Sequence, residues 1–125
     1  MRVVGDPVVS ATVSAPVTAA DTALALGSGD VAVLGTPRAV ALAEAATVAA
    51  VAGTLPEDRT TVGTRVELDH LAPSPVGATV TAEAVLIERT DRRLTFEVRL
   101  TQDGELVASG RITRAVVART RFPTA

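Results

Sequence analysis

Apolar and polar residues alternate along most of this chain and crowd together in one place. From Pro7 to Val17 the residues are mainly Val, Thr and Ser, which predicts a strand. Thr18 to Leu34 is broken by Gly, Asp and Ser, and reads as a connector with one helical turn near Asp21–Leu26. Its centre, Gly27-Ser-Gly-Asp30, is expected to be a flexible loop. The crowded stretch follows. Val40, Leu42, Ala43, Ala46, Val48, Ala49, Ala50 and Val51 leave almost no polar face, so a helix there is expected to be buried nearly all round. Thr36 is the expected N-cap and Pro37 suits the first helical position. Gly53 supplies the stop, with Pro56 three residues on.

Strands occupy the rest. Thr60 to Leu71 alternates, which places Val62, Thr64, Val66, Leu68 and His70 on one face if the strand is regular. Ala72-Pro-Ser-Pro-Val-Gly77 is a turn, and Ala78 to Glu88 a strand. Arg89 to Arg93 is a polar hairpin tip. Leu94, Phe96, Val98 and Leu100 alternate with Thr95, Glu97, Arg99 and Thr101. Asp103-Gly104 is a tight-turn signal, and Glu105 to Ala118 forms the last strand before a frayed tail. A strand, one apolar helix and four further strands joined by short turns make an α+β fold, with the antiparallel sheet wrapped around one long buried helix.

At 125 residues the chain is expected to be one domain, residues 1–125. With only two aromatic residues, Phe96 and Phe122, the core must be built from Val, Ala and Leu. All 12 basic residues are Arg, scattered along a chain of net charge −2, and there is no aromatic platform, so no nucleic-acid partner is expected. The absence of cysteine excludes disulfides and thiol catalysis, and a single histidine makes an intramolecular zinc site improbable. No cofactor and no metal are expected. The N-terminal residues lack the apolar run of a signal peptide, and the longest apolar stretch is far too short to cross a bilayer, so the expected location is the cytoplasm, with no membrane contact.

The chemistry narrows to a few side chains. Glu44 is the one acid within the apolar helix, and His70 is the only imidazole. A carboxylate can add to a carbonyl carbon or activate water, and an imidazole shuttles protons near neutral pH. Each also has a plain reading: a Glu at the edge of a helix, and an incidental His at a strand end. Thr36, eight residues before Glu44, lies on the same side of the helix but about 12 Å along it. Its plain role is the N-cap, worth about 1 kcal/mol. Gly63 would admit a ligand to the backbone or mark a strand bulge. Gly77 is most simply a turn residue. Arg89, Arg92 and Arg93 read first as solvated turn charge, with phosphate binding as the alternative.

Several features stand together in order: Gly35-Thr36 opening the helix, Glu44, Val62-Gly63 ahead of His70, Ala72-Pro-Ser-Pro-Val-Gly77, and Ser109-Gly-Arg-Ile-Thr-Arg114-Ala-Val. From about Val31 to Val117 the chain thereby resembles the hotdog fold, and more narrowly the fluoroacetyl-CoA thioesterase-like branch of hotdog thioesterases. The resemblance implies a homodimer with active sites near the subunit interface; pairing into tetramers is left open. It implies hydrolysis of an acyl-CoA thioester, with coenzyme A as part of the substrate. Thr36, Glu44 and His70 take the places of the catalytic Thr, Glu and His. Gly63 takes the place of a glycine at the acyl site. Gly77, where a glycine could admit the pantetheine arm, and Arg114, where an arginine could help hold CoA, join it as substrate-binding residues. Members that select the fluorinated substrate carry an aromatic lid-like segment before the helix. Here Gly27 to Leu34 has no aromatic residue, so that selectivity is not among the expectations. The rival readings are a non-catalytic hotdog module that binds acyl-CoA or another small apolar ligand, and a hotdog hydratase. The hydratase ranks lower because Asp69, the acid beside His70, points to the opposite face of a regular strand.

Overall fold

The computed structural model describes residues 8–124. The chain runs through β1 (Ser10–Pro16), a single 3-10 turn (Ala19–Asp21), the short helix α1 (Ala23–Leu26) and the long helix α2 (Thr36–Val51). It continues through β2 (Arg59–His70), β3 (Thr79–Arg89), β4 (Arg93–Gln102) and β5 (Glu105–Ala118), and ends in a second 3-10 turn, Arg119–Arg121. The expected α+β order is borne out. Pro7, expected at the start of the first strand, lies outside the described residues.

The five strands form one antiparallel sheet in the order β1-β3-β4-β5-β2. The Asp103-Gly104 turn is tight because both residues take positive φ, 50° and 80°, the backbone hand that matches the twist of a two-residue hairpin. The sheet curves around α2. Ala39, Leu42, Ala43, Ala46 and Ala50 of the helix pack on Val80, Ala82, Ala84, Phe96, Val98, Leu100 and Ile112 of the strands, all buried. Burying each large aliphatic or aromatic side chain stabilises by roughly 1.5–3 kcal/mol. The alanines add little individually, but they let helix and sheet approach closely.

Two expectations about α2 are corrected. The N-cap is Gly35, not Thr36, which is the first helical residue; Pro37 is the second. Gly35 takes the extended cap conformation, and its carbonyl accepts from Arg38 and Ala39. The Thr36 hydroxyl is thereby left free for another partner. Nor is the helix buried all round. Ala41, Ala45, Val48 and Ala49 are exposed on its outer flank, because one sheet covers only one side of a helix.

Helix α2 lies chiefly over β1 and β3, and touches β2 sparsely. A crevice therefore runs between the helix and the β5–β2 side of the sheet. Strand β2 forms one end of the sheet, so its outer edge has no strand partner among the described residues. Most of its residues are exposed, Val66 included.

Candidate active site

Two clusters bridge the crevice. The first is built on the middle of α2. Glu44 reaches across to β5, where Arg114 Nη1 donates to Glu44 Oε2 at 3.1 Å. Arg114 is buried, and its position explains why that is tolerated. Its Nε donates to the Thr61 hydroxyl at 2.9 Å and its Nη2 to the Thr61 carbonyl at 3.2 Å, so the guanidinium fork is paired on every edge. The Glu44 side chain is 36% exposed, and Oε1 carries no hydrogen bond among the described residues. One carboxylate oxygen is clamped and the other is free toward the crevice.

Gly63 closes this cluster. A Cβ there would lie 2.5 Å from Glu44 Oε2 and 3.4 Å from Arg114 Nη1, so any larger residue would push the Glu44 carboxylate from its place beside Arg114. Its orientation depends on an irregularity in β2. Gly63 pairs with Arg114 and Arg65 with Thr113, leaving Thr64 as an extra residue. The bulge shifts the alternation by one residue. Thr61, Gly63, Val66, Leu68 and His70 therefore share the helix-facing side, opposite inward residues of β5. The expected face of Val62, Thr64, Val66, Leu68 and His70 is correct only beyond the bulge; Val62 lies on the outer face opposite Ala115.

The second cluster sits at the start of α2 and the end of β2. Thr36 Oγ1 and His70 Nδ1 are 2.9 Å apart and share a hydrogen bond. His70 Nε2 is buried and has no partner. Around the pair is a cleft of about 320 Å³ lined by Ser28, Asp30, Val31, Leu71 and Pro73 among others. Its rim is the segment before the helix. That segment is held by bridges between Thr22 and Leu34 and between Val33 and Pro75, and by the Leu34 amide donating to the Ser74 carbonyl at 2.8 Å. Asp21 ties it to the helix. Its carboxylate accepts from the Thr18 amide at 2.7 Å and the Thr18 hydroxyl at 2.8 Å, and pairs with Arg38 at 3.1 Å. The Thr18 amide first, then the Thr18 hydroxyl and Arg38, hold this carboxyl below its ordinary value of 3.8.

Of the residues expected at the site, Thr36 and His70 meet, and Glu44, Gly63 and Arg114 meet. The two groups are separate within one chain, one near each end of the inward half of β2. Gly77 belongs to neither. It has φ +95° and closes a turn, its amide donating to the Val17 carbonyl at 2.8 Å. Arg114, expected among the substrate-binding residues, has its guanidinium hydrogen-bonded to Glu44 and Thr61. Thr61 escaped notice in the sequence. The signal for Arg114 was present: a charged residue at the inward position between Ile112 and Val116 requires a buried partner, and Glu44 is the one acid in the helix above it. Among the described residues there is no group of three metal-ligating side chains, and no helix is long and apolar enough to cross a membrane.

Comparison with known proteins agrees with this fold. The family model for the fluoroacetyl-CoA-specific thioesterase matches residues 17–120. A crystal structure of a mutant of that thioesterase in complex with fluoroacetate and CoA has 29% identity and a TM-score of 0.85, covering 91% of this chain and 96% of that one. Another structure of the same thioesterase reaches 31% identity and a TM-score of 0.83 over 90% of this chain and 88% of that one. A thioesterase superfamily member from Thermus thermophilus has 24% identity and a TM-score of 0.85, covering 97% and 89%. It supports the fold alone, as does a hot-dog-like protein from Thermanaerovibrio acidaminovorans at 22% identity and a TM-score of 0.81, covering 90% and 83%. No curated protein matched the chain by sequence. The sheet curved over one long helix is the hotdog fold.

Proposed function

Because the chain belongs to the fluoroacetyl-CoA-specific thioesterase family, we propose that it hydrolyses a small or medium acyl-CoA thioester at a site made by Glu44, His70 and Thr36. The observation that carries this reading is the state of the two reactive groups. Glu44 is clamped through one oxygen with the other free, and His70 is fixed through Nδ1 with Nε2 unpartnered. Glu44 Oε1 either removes a proton from water as the water adds to the thioester carbonyl, or adds to that carbonyl itself to give a mixed anhydride that water then opens. With the Thr36 hydroxyl donating to Nδ1, the proton of the neutral imidazole resides on Nε2. From there it passes to the departing CoA thiolate as the carbon–sulfur bond breaks. No cofactor enters; coenzyme A is part of the substrate.

The functional unit we propose is a homodimer. Within one chain, six residues of β2 lie between Gly63 and His70, roughly 20 Å of strand even with the bulge. A bare 12-residue edge strand is unusual in a protein that stays monomeric. Antiparallel pairing of β2 with β2 of a second copy, about a two-fold axis near Val66 and Glu67, would lay Gly63 and Glu44 of one subunit beside His70 of the partner subunit. A two-fold axis normal to the sheet keeps both residues on the helix-facing side. Two identical sites then form, each with a carboxylate from one subunit and an imidazole and Thr36 from the other.

Thiol release from a series of acyl-CoA esters tests the reaction. Glu44→Gln is expected to lower kcat by at least about 10³-fold, and His70→Ala by about 10²–10⁴-fold. Tight binding of esters by the unaltered protein with no thiol released would favour a binding module instead. Addition of water to an enoyl-CoA without thiol release would favour a hydratase.

A further inference from the structure

A second, larger cavity of about 680 Å³ opens at the other end of the crevice, beyond the C-terminal end of α2. Its apolar floor is Leu55, Pro56, Leu94 and Val116, and its rim carries Arg59, Arg89 and Arg92. These arginines converge from the start of β2, the end of β3 and the β3–β4 turn, and none has an ion-pair partner among the described residues. Arg119 adds charge at the same corner, its guanidinium held by the Glu57 and Arg59 carbonyls at 3.2 and 3.1 Å.

Negative charge opposes them. Asp91 lines the cavity, Glu57 and Asp58 stand in the turn before β2, and the α2 C-terminus contributes about half a negative charge. Counting the lining alone, three guanidiniums outweigh one carboxylate and the helix end by roughly 1.5 charges. On a chain of net charge −2, a cationic rim over an apolar floor is a local reversal of sign. Arginine forks bind phosphate through two parallel N–H bonds, and an apolar floor suits a flat base.

The cavity lies beside the Glu44–Arg114 cluster. Leu94 pairs with Arg114 across β4 and β5, and Val116 lies two residues beyond Arg114 on the same face, about 7 Å along the strand. We propose that this cavity seats the phosphorylated nucleotide end of the CoA substrate, Arg59, Arg89 and Arg92 taking its phosphates and Leu55, Pro56 and Val116 its adenine. This rests on the acyl-CoA reading above for the identity of the ligand, though not for the anion chemistry. The same rim would suit the free carboxylate of a dicarboxylic acyl group, and the test separates the two.

Equilibrium binding of adenosine 3′,5′-bisphosphate is measured by calorimetry on the full chain, independently of turnover. The unaltered protein is expected to bind it, more weakly as salt rises, and the Arg89→Gln/Arg92→Gln double variant at least tenfold more weakly. Asp91→Asn is expected to tighten binding, which guards against loss of fold as the cause. In the thiol-release assay the double variant is expected to raise KM for butyryl-CoA about tenfold with kcat unchanged, and to leave butyryl-pantetheine unaffected. No binding of the bisphosphate by the unaltered protein, or equal loss on the CoA and pantetheine esters, overturns the proposal while leaving the hydrolase reading intact. Loss confined to succinyl-CoA relative to butyryl-CoA, with bisphosphate binding unchanged, assigns the rim to an acyl carboxylate and also overturns it. Absence of thiol release from every ester defeats the hydrolase reading, and the calorimetric result then decides this proposal alone.

Discussion

The Glu44 end and the His70 end of the crevice are built by opposite means. At the Glu44 end a buried guanidinium is paired on every edge, a missing side chain at Gly63 makes the room, and a bulge turns that glycine inward. At the His70 end a single hydrogen bond fixes the ring, and its surroundings are an exposed segment held by isolated bridges and one carboxylate. The first end has the character of a rigid socket for a nucleophile or base. The second has that of an open mouth, where the proposed reaction would hand over its proton. The proposed reaction needs both, and one chain keeps them apart.

The sharpest way to break this contrast is at Arg114. Arg114→Met should leave Glu44 without its clamp and Thr61 without its donor. A pair in full burial would cost 3–5 kcal/mol to break; because Glu44 is partly hydrated, the expected loss is about 2 kcal/mol. Urea denaturation should report it, with kcat falling at the same time. A variant that keeps full stability would show that the clamp does not hold the Glu44 end together.

Gly63→Ala is the next test. The added methyl must displace the carboxylate, the flexible end of a side chain, so stability should change by less than about 1 kcal/mol while kcat falls by tenfold or more. Unfolding and thiol release measured on the same sample separate these outcomes. Equal losses in both would mean that the bulge, rather than the carboxylate, depends on glycine.

The smallest effect belongs to the mouth. The Asp21 carboxyl is held below 3.8, so its contribution to stability is complete above the unfolded value near 3.9 and is lost as pH falls through the lower native value. Asp21→Asn should therefore be less stable than the unaltered chain at pH 7, and the difference should vanish once the pH has fallen through the lowered native value. Thermal melts at a series of pH values check it.

Much of this was legible in the residues. The alternation located every strand to within a few residues, and Asp103-Gly104 and Gly53 marked their turns. Glu44 stood out as the one acid of the apolar helix and His70 as the only imidazole, and resemblance added a catalytic reading of Thr36. Three things escaped because they depend on neighbours distant in sequence. The bulge at Thr64 breaks the alternation without any change in residue type, so the face expected for Val62 rests on a parity that does not hold. The Arg114–Glu44 pair joins positions whose meeting depends on how the helix crosses the sheet. Thr36 reads as a cap because Thr before Pro usually is one; Gly35 takes that role, and the hydroxyl is released to His70.

The central claim is that Glu44 of one subunit works with His70 of the partner subunit. Subunits of the Glu44→Gln and His70→Ala variants, each inactive alone, should be mixed in equal amounts, exchanged and assayed for thiol release. If the site spans the interface, half the dimers are mixed and each mixed dimer carries one intact site, so activity should recover to about a quarter of that of the unaltered protein. Thr36→Val should complement Glu44→Gln in the same way and fail to complement His70→Ala. No recovery in mixtures proven to contain mixed dimers would contradict the account, because it would place carboxylate and imidazole in the same chain.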